Sequence, residues 1–445
     1  MILILGGGLA GLATAFHLRR LLPGVPRLVL EKEAVPGGLS RSRRVDGFTF
    51  DFTGHYLHLR DPGTIAFVDE LIGDRMTEVE RRAFIHSRGA LLDFPYQANL
   101  HGLPPGSVAQ MLLDFVEAAK TPLPERPEEL PFGDWARRVF GAGIAEGFMI
   151  PYNAKLFGCE PDELTSEWVS WAVPRPDLSQ VIQGALGIRN AGMGYNPRFR
   201  YPREGGIGVL AEALAARVGD DLRCRAAVVS IDARERRVVL QGGEVLPFEQ
   251  IVSTLPLPYL LQRVRGVDGC PGLGMTLAEM AGALRWAAVI DLELGVDRAE
   301  IAEGAHWVYF PDPGVPFYRV GFPSNVARSL APAGCSSLSV EFSHRPGAPV
   351  PPTEVLVARA RTGLEAAGIL RPSDRIVCAE AVLLDPAYVL FDRRRTPTVE
   401  AAMRRLAGVG IRSIGRFGAW TYSYMERALL DGKEAAEAIA TERLA

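Results

Sequence analysis

Apolar and polar positions divide the chain into segments of different period. Ile2-Leu3-Ile4-Leu5 is an uninterrupted aliphatic run, the pattern of a strand buried on both faces. Glycines follow at positions 6, 8 and 11. An amphipathic helix is expected from Leu9 to about residue 22, then a second apolar strand over 27–30 that ends at Glu31. Residues 60–175 read mainly as helical, with the clearest stretches at 65–72, 108–119 and 132–140. Proline clusters at 103–105, 122–131 and 349–352 mark loops. From residue 201 the text changes: Tyr201-Pro202-Arg203-Glu204-Gly205-Gly206-Ile207-Gly208 precedes an apolar helix at 209–218, and short strands follow at 227–232, 237–240 and 250–254. Residues 283–345 alternate as strands at 287–294, 307–310, 318–322 and 337–342, expected to form the sheet of a substrate domain. Near the end, Ile414-Gly415-Arg416 closes a strand and 425–440 is a helix. No internal repeat is visible.

Composition narrows the class. The chain has 445 residues, 48% hydrophobic and 23% charged, which suits two or three globular domains. Its net charge is −3 and no long basic stretch occurs, which argues against a nucleic-acid partner. The five cysteines (Cys159, Cys224, Cys270, Cys335, Cys378) are scattered and form no CxxC pair. They read as reduced thiols of a cytoplasmic protein with no metal site. The apolar start lacks a basic region and runs straight into glycine, so it reads as a strand and not a signal peptide. No apolar run approaches the roughly 18 residues of a membrane span. The run at 252–261 carries Pro256 and Pro258 and suits a strand and a turn.

The N-terminal pattern carries chemistry. Gly6 allows a tight turn, Gly8 lets the backbone approach a pyrophosphate, and Gly11 lets the helix pack close to the strand. The helix start, at Leu9 and Ala10, offers free N–H groups and partial positive charge to phosphate. Glu31 stands about 20 residues beyond Gly11, where a dinucleotide-binding unit places the carboxylate that holds a ribose hydroxyl. Lys32 and Glu33 follow, then Pro36-Gly37-Gly38-Leu39-Ser40-Arg41-Ser42. Paired glycines expose N–H groups, and Arg41 can set a cation near phosphate.

This second segment resembles the GG-x-(S/T)-R element of the flavoprotein superfamily of amine oxidases, protoporphyrinogen oxidases, phytoene desaturases and UDP-galactopyranose mutases, where it lies along the FAD pyrophosphate and the flavin. The resemblance implies an α/β fold: a Rossmann-like, GR2-type FAD-binding domain with a mixed substrate domain made of an antiparallel sheet and a helical insertion. The FAD-binding domain is expected in three parts, residues 1–60, 201–265 and 406–445. The helical, substrate-binding insertion is expected at 61–200 and the substrate sheet at 266–405. The implied FAD contacts are Gly6, Gly8, Leu9, Ala10, Gly11, Glu31, Lys32, Gly38, Leu39, Ser40, Arg41, Gly54, His55, Val229, Thr254, Gly415, Arg416, Tyr424 and Met425.

Within the superfamily the chain is most similar to UDP-galactopyranose mutases. Gly54-His55-Tyr56-Leu57-His58 resembles the H-x-F-H segment that lies over the flavin, and makes His55 and His58 candidate catalytic groups able to move protons near neutral pH. Pro151-Tyr152-Asn153-Ala154-Lys155-Leu156-Phe157-Gly158 resembles the Y-T-x-K-Q-W-G segment, with Tyr152 and Lys155 as substrate candidates. Phe94-Pro95-Tyr96-Gln97-Ala98-Asn99 resembles a proline-aromatic-Asn segment of the same family. Gly415-Arg416-Phe417-Gly418-Ala419-Trp420-Thr421-Tyr422-Ser423-Tyr424-Met425 resembles the tail G-R-L-A-E-Y-R-Y-Y-D-M. Tyr422 matches the diphosphate-binding tyrosine, while the family's acid at position 424 is missing. The family's diphosphate arginine is matched most nearly by Arg285; Arg175, Arg198, Arg200 and Arg319 are alternatives. The implied partner is a small molecule, a nucleotide sugar, with NAD(P)H as a candidate external reductant.

A rival expectation is an oxidoreductase of the amine oxidase or protoporphyrinogen oxidase type, to which residues 201–214 and 253–258 are closer. Trp420 and Tyr422 would then form half of an aromatic cage for an amine. No flavin-bridging lysine is evident. The mutase uses reduced flavin on a sugar, whereas the oxidase removes hydride to oxidised flavin.

Overall fold

The computed structural model describes residues 1–169, 173–188, 197–267 and 274–444. A five-stranded parallel sheet runs in the order Ile411–Ser413, Gln250–Ser253, Ile2–Leu5, Arg27–Leu30, Leu222–Arg223. Both ends of the chain and its middle contribute. Ile2–Leu5 lies at the centre and is buried throughout. Helices cover a parallel sheet on its faces, so its central strand has no polar side, and the aliphatic run follows from that.

Helix Leu9–Leu21 packs against Met425–Leu444 and Gly208–Val218. The approach to the C-terminal helix depends on Gly432. A Cβ there would lie 2.5 Å from the Ala10 carbonyl oxygen and 2.8 Å from the Thr14 nitrogen. Gly432→Leu is expected to cost about 1–3 kcal/mol by overpacking, read as a lower midpoint of chemical unfolding. An unchanged midpoint would show that the two helices are not so tightly seated.

A second, seven-stranded sheet runs Ile376–Val389, Trp286–Val296, Ser336–His344, Arg319–Gly321, Trp307–Tyr309, Ala83–Ser87, Ala90–Asp93. Neighbours are antiparallel except Trp307–Tyr309 with Ala83–Ser87. Trp286–Val296 is buried at every position but the first, and it carries Asp291 and Glu293 into the interior.

Two expectations need correction. The mainly helical reading of 60–175 misses the strands Met76–Glu80, Ala83–Ser87 and Ala90–Asp93. Ala83, Ile85 and Ser87 are buried and their neighbours half-buried, a period of two too short to stand out between helices. The run at 252–261 is a strand that ends at Ser253 and then a helix, Leu257–Arg263. Pro258 sits in its first turn, where a missing N–H costs nothing. The helix expected at 132–140 does end there, at Gly141 (φ +75°), and a second helical run then continues through Ile144, a π-turn at Ala145–Met149 and Ile150–Phe157. Pro151 cannot donate to the preceding turn, and the widened turn just before it absorbs that mismatch. The result buries Tyr152 against Tyr309 and Tyr318.

Among the described residues no helix is long and apolar enough to cross a membrane. Cys159, Cys224, Cys335 and Cys378 are free thiols; Cys270 lies outside the described residues.

Candidate active site

The strand Ile2–Leu5 ends at Gly6, whose φ is +100°. Gly8 is extended, and no side chain caps the helix that starts at Leu9. The first-turn N–H groups of Leu9, Ala10 and Gly11 therefore have no acceptor within the helix and sit at its positive end. Glu31 accepts from the Gly7 N–H at 2.7 Å and from the Glu33 N–H at 2.8 Å, so it braces the loop. The Gly37 N–H donates to the Gly7 carbonyl at 2.7 Å, which lays Gly37 and Gly38 directly on the first loop. Ser40 N–H donates to the Gly37 carbonyl at 2.9 Å and Leu39 is half-buried. Arg41 donates to the Gly38 carbonyl at 2.7 Å, with its guanidinium 4.7 Å from the Phe52 ring centre. Thr254 closes the other flank: its hydroxyl donates to the Leu5 carbonyl at 2.9 Å. Gly415 meets the start of the helix, since a Cβ there would lie 3.1 Å from the Ala10 Cβ. Met425 begins the C-terminal helix and is buried, whereas Tyr424 is 41% exposed. Uncapped N–H groups, a carboxylate at the second strand end and a facing glycine pair fit the ADP half of a dinucleotide. Lys32 is exposed and pairs with Glu33 at 3.6 Å, and the Val229 side chain is exposed. Those two expected contacts are thus open to solvent.

A second cluster lies on the seven-stranded sheet. Arg319 and Glu341 stand opposite each other on neighbouring strands. Arg319 Nε and Nη2 reach Glu341 Oε1 at 2.8 and 2.6 Å, and the Tyr318 hydroxyl donates to Oε2 at 2.5 Å. The Tyr152 ring lies 5.2 Å from Tyr309 and 6.3 Å from Tyr318. Arg416 lies 5.6 Å from the rings of both Tyr388 and Tyr422. It donates to the carbonyls of Ser423 at 2.8 Å and Ala387 at 3.1 Å, both neutral acceptors. Burial pushes the phenols of Tyr152, Tyr318, Tyr388 and Tyr422 up, so all four are neutral hydroxyls at ordinary pH.

His55 joins this cluster. Burial pushes it down to about 4, with Arg416 and Arg319 adding to the effect. Its Nδ1 is buried without a hydrogen-bond partner among the described residues. The imidazole is therefore neutral near pH 7. In histidine-labelled protein, the NMR signal lost in His55→Gln is expected to titrate near 4; a midpoint at the ordinary 6.5 would contradict the burial. His58 goes elsewhere. Its Nδ1 lies 3.0 Å from the Arg198 carbonyl and its ring meets Phe199 edge-on, so it fastens the segment to the strand Arg198–Pro202.

The other sequence candidates separate in the same way. Arg285 pairs with Glu163 at 2.8 Å and Asp392 at 3.8 Å, in a cleft of about 370 Å³ that Arg393 and Arg394 also line. It is compensated there, and the arginines of the tyrosine cluster are the half-buried Arg319 and Arg416. Lys155 donates to the carbonyls of Phe310, Asp312 and Phe317 at 2.8, 2.9 and 2.6 Å, which uses all its protons on one turn. Arg175 is exposed and lies 5.1 Å from the Trp135 ring. Arg198 pairs with Glu78 at 2.9 Å, and Arg200 pairs with Asp69. Trp420 is 0% exposed, its ring edge-on to Trp286 at 5.7 Å. Tyr96 is core, stacked on Phe148, while Gln97 and Asn99 bond backbone carbonyls.

Sequence reasoning passed over Tyr309, Tyr318, Glu341, Tyr388 and Asp291. The one signal for them was a buried strand pattern broken by acids, at Asp291 and Glu341.

Residues 9–353 match the protein family described as flavin containing amine oxidoreductase. The chain belongs to that family. Like the enzymes of the flavin containing amine oxidoreductase family, it uses a flavin. A crystal structure of reduced UDP-galactopyranose mutase is similar at a TM-score of 0.92 and 28% identity, covering 99% of this chain and 95% of that one. A putative protoporphyrinogen oxidase from Exiguobacterium sp. 255-15 shares the fold, with a TM-score of 0.72 at 18% identity over 99% of this chain and 98% of that one. An uncharacterized protein in the nifH2 3'region of Methanothermococcus thermolithotrophicus is 41% identical over 64 residues, 14% of this chain. This chain spans 60% of the length of that curated relative.

Proposed function

We propose that the protein is an FAD-dependent mutase that interconverts the pyranose and furanose forms of a nucleotide sugar. The observation that carries this reading is the convergence of two half-buried guanidiniums, Arg319 and Arg416, among the phenols of Tyr152, Tyr309, Tyr318, Tyr388 and Tyr422. A half-buried fork of fixed orientation ringed by hydroxyl donors suits a diphosphate. The similarity to reduced UDP-galactopyranose mutase over nearly the whole chain supports it.

In this reading the glycine loop, Glu31, Gly38 to Arg41 and Thr254 hold the ADP half of FAD. When bound and reduced, the flavin supplies the electron-rich centre that acts on the sugar. Glu341 orients Arg319, whose Nη1 remains for the diphosphate. Among the described residues Arg416 bonds only neutral carbonyls, so its charge is left for an anionic group of cofactor or substrate. Tyr422 and Tyr152 add hydroxyls, and neutral His55 can accept or donate a hydrogen bond without adding charge. Holding these groups in place is the protein's main contribution to rate. We place the enzyme in the cytoplasm, where scattered reduced thiols persist and NAD(P)H can act as reductant.

The oxidoreductase reading draws on family membership. The cage it needs lacks a partner, because Trp420 offers no ring face to solvent. Calorimetry on the holoenzyme separates the two. UDP is expected to bind, and Arg319→Met to weaken it about 10- to 100-fold, the loss of one charged hydrogen-bonding group. Binding of primary amines with none of UDP would overturn the mutase reading.

A further inference from the structure

Thr53 is β-branched, yet its φ is +63°, a left-handed conformation that such a side chain adopts only under constraint. Its N–H donates to Asp291 Oδ2 at 2.9 Å. Asp291 lies in the middle of the strand Trp286–Val296 and is 0% exposed. Its other oxygen accepts from the Ser339 hydroxyl at 2.7 Å. Across the strand pair it faces Glu341, which is bonded to Arg319, and Glu293 follows on its own strand, bonded to Arg43. Burial and the neighbouring Glu341 push the carboxyl up to about 7. A buried carboxyl beside another acid is a costly choice for a strand whose neighbours are aliphatic. What it gains is the Thr53 anchor.

The segment is also held from the other side. Asp51 accepts from the Ser42 hydroxyl at 2.6 Å, the Tyr201 hydroxyl at 2.5 Å and the Ile207 N–H at 3.1 Å. Thus Asp51 and Asp291 clamp the backbone immediately before Gly54 and His55. Only the Asp291 clamp comes from the sheet that carries Arg319 and Glu341.

We propose that Asp291 is a positioning residue: by anchoring the Thr53 N–H it sets the left-handed turn that presents Gly54 and His55 to the flavin. This rests on the reading that the segment faces the flavin, and it does not depend on which substrate is used.

The test uses the holoenzyme, its flavin absorbance spectrum and its affinity for FAD. Asp291→Ala is expected to shift the long-wavelength flavin band in the same direction as His55→Ala, and to weaken FAD about ten-fold. Adding Thr53→Gly to Asp291→Ala is expected to recover the band, because glycine adopts the turn without an anchor. Asp291→Asn keeps an acceptor and is expected to shift the band less. A folded Asp291→Ala with the wild-type band and FAD affinity overturns the proposal, as does a double variant no better than the single one. Should Asp291→Ala not fold, the double variant decides alone: folded protein with a near wild-type band and FAD affinity supports the proposal, and a double variant that still fails to fold, or that folds with the band of His55→Ala, overturns it. A His55→Ala protein with an unchanged band would instead sink the reading that this segment meets the flavin, and the proposal with it. Neither result bears on UDP binding, so a failed mutase reading remains distinguishable.

Discussion

Gly11→Val is expected to leave the protein with little or no bound flavin. A Cβ at Gly11 would lie 2.0 Å from the Gly6 carbonyl oxygen and 3.2 Å from its carbon. Both are backbone atoms of the loop itself, so no rotamer change can relieve the contact. Either the helix start moves away from the first strand or the Gly6 turn deforms. Each displaces the N–H groups of Leu9 and Ala10, which are proposed to meet the phosphates of FAD at hydrogen-bond distance. Overpacking of this kind costs about 1–3 kcal/mol, occasionally more. Charged to the bound state alone, that is about 10- to 100-fold in FAD affinity. The check is the flavin-to-protein ratio of purified Gly11→Val, beside circular dichroism to show that the chain is folded. A folded variant with full flavin content would mean that the loop does not hold the cofactor.

Arg319→Met is expected to lose both stability and turnover, for separable reasons. Arg319 is the charge partner of Glu341, which is buried and otherwise bonded to the Tyr318 hydroxyl. Removing one member of a buried pair strands the other, at about 3–5 kcal/mol. Combining Arg319→Met with Glu341→Gln removes both charges and is expected to recover most of that stability. Turnover should not recover, because the guanidinium proposed to meet the diphosphate is still gone. Denaturant melts of the single and double variants, with turnover measured on each, check both halves. Turnover restored in the double variant would make Arg319 a structural residue only.

The parts of the protein governed by local rules were legible in the sequence. The glycine loop, its helix and the strand ending at Glu31 are set by turn sterics and by aliphatic burial within 31 consecutive residues, and the structure has them where the pattern puts them. In the second sheet Ala83–Ser87, Ala90–Asp93 and Ile376–Val389 were not legible as strands, whereas the other four strands were, because apolar and polar residues alternate within Trp286–Val296 and Ser336–His344. Their register was not. Asp291, Glu341 and Arg319 form one row only because Asp291 pairs with Glu341 and Glu341 with Arg319 across three strands. No local signal encodes that pairing, and so the sequence pointed to Arg285, which is compensated by Glu163 and Asp392. The same limit explains the histidines. His55 and His58 look equivalent in a short motif, and tertiary contacts send one to Arg416 and Arg319 and the other to the Arg198 carbonyl. Lys155 was read as a pocket residue from its motif, whereas the turn it caps comes from residues 310–317, far along the chain.

The central claim is that half-buried guanidiniums and the phenols around them hold a nucleotide sugar against a reduced flavin. The direct measurement is turnover of UDP-galactofuranose by dithionite-reduced holoenzyme, with the products separated by chromatography. The account predicts UDP-galactopyranose from the reduced enzyme and almost none from the oxidised one. No conversion by fully reduced, flavin-loaded enzyme, together with peroxide released by the oxidised enzyme in air from an amine or a porphyrinogen, would contradict it.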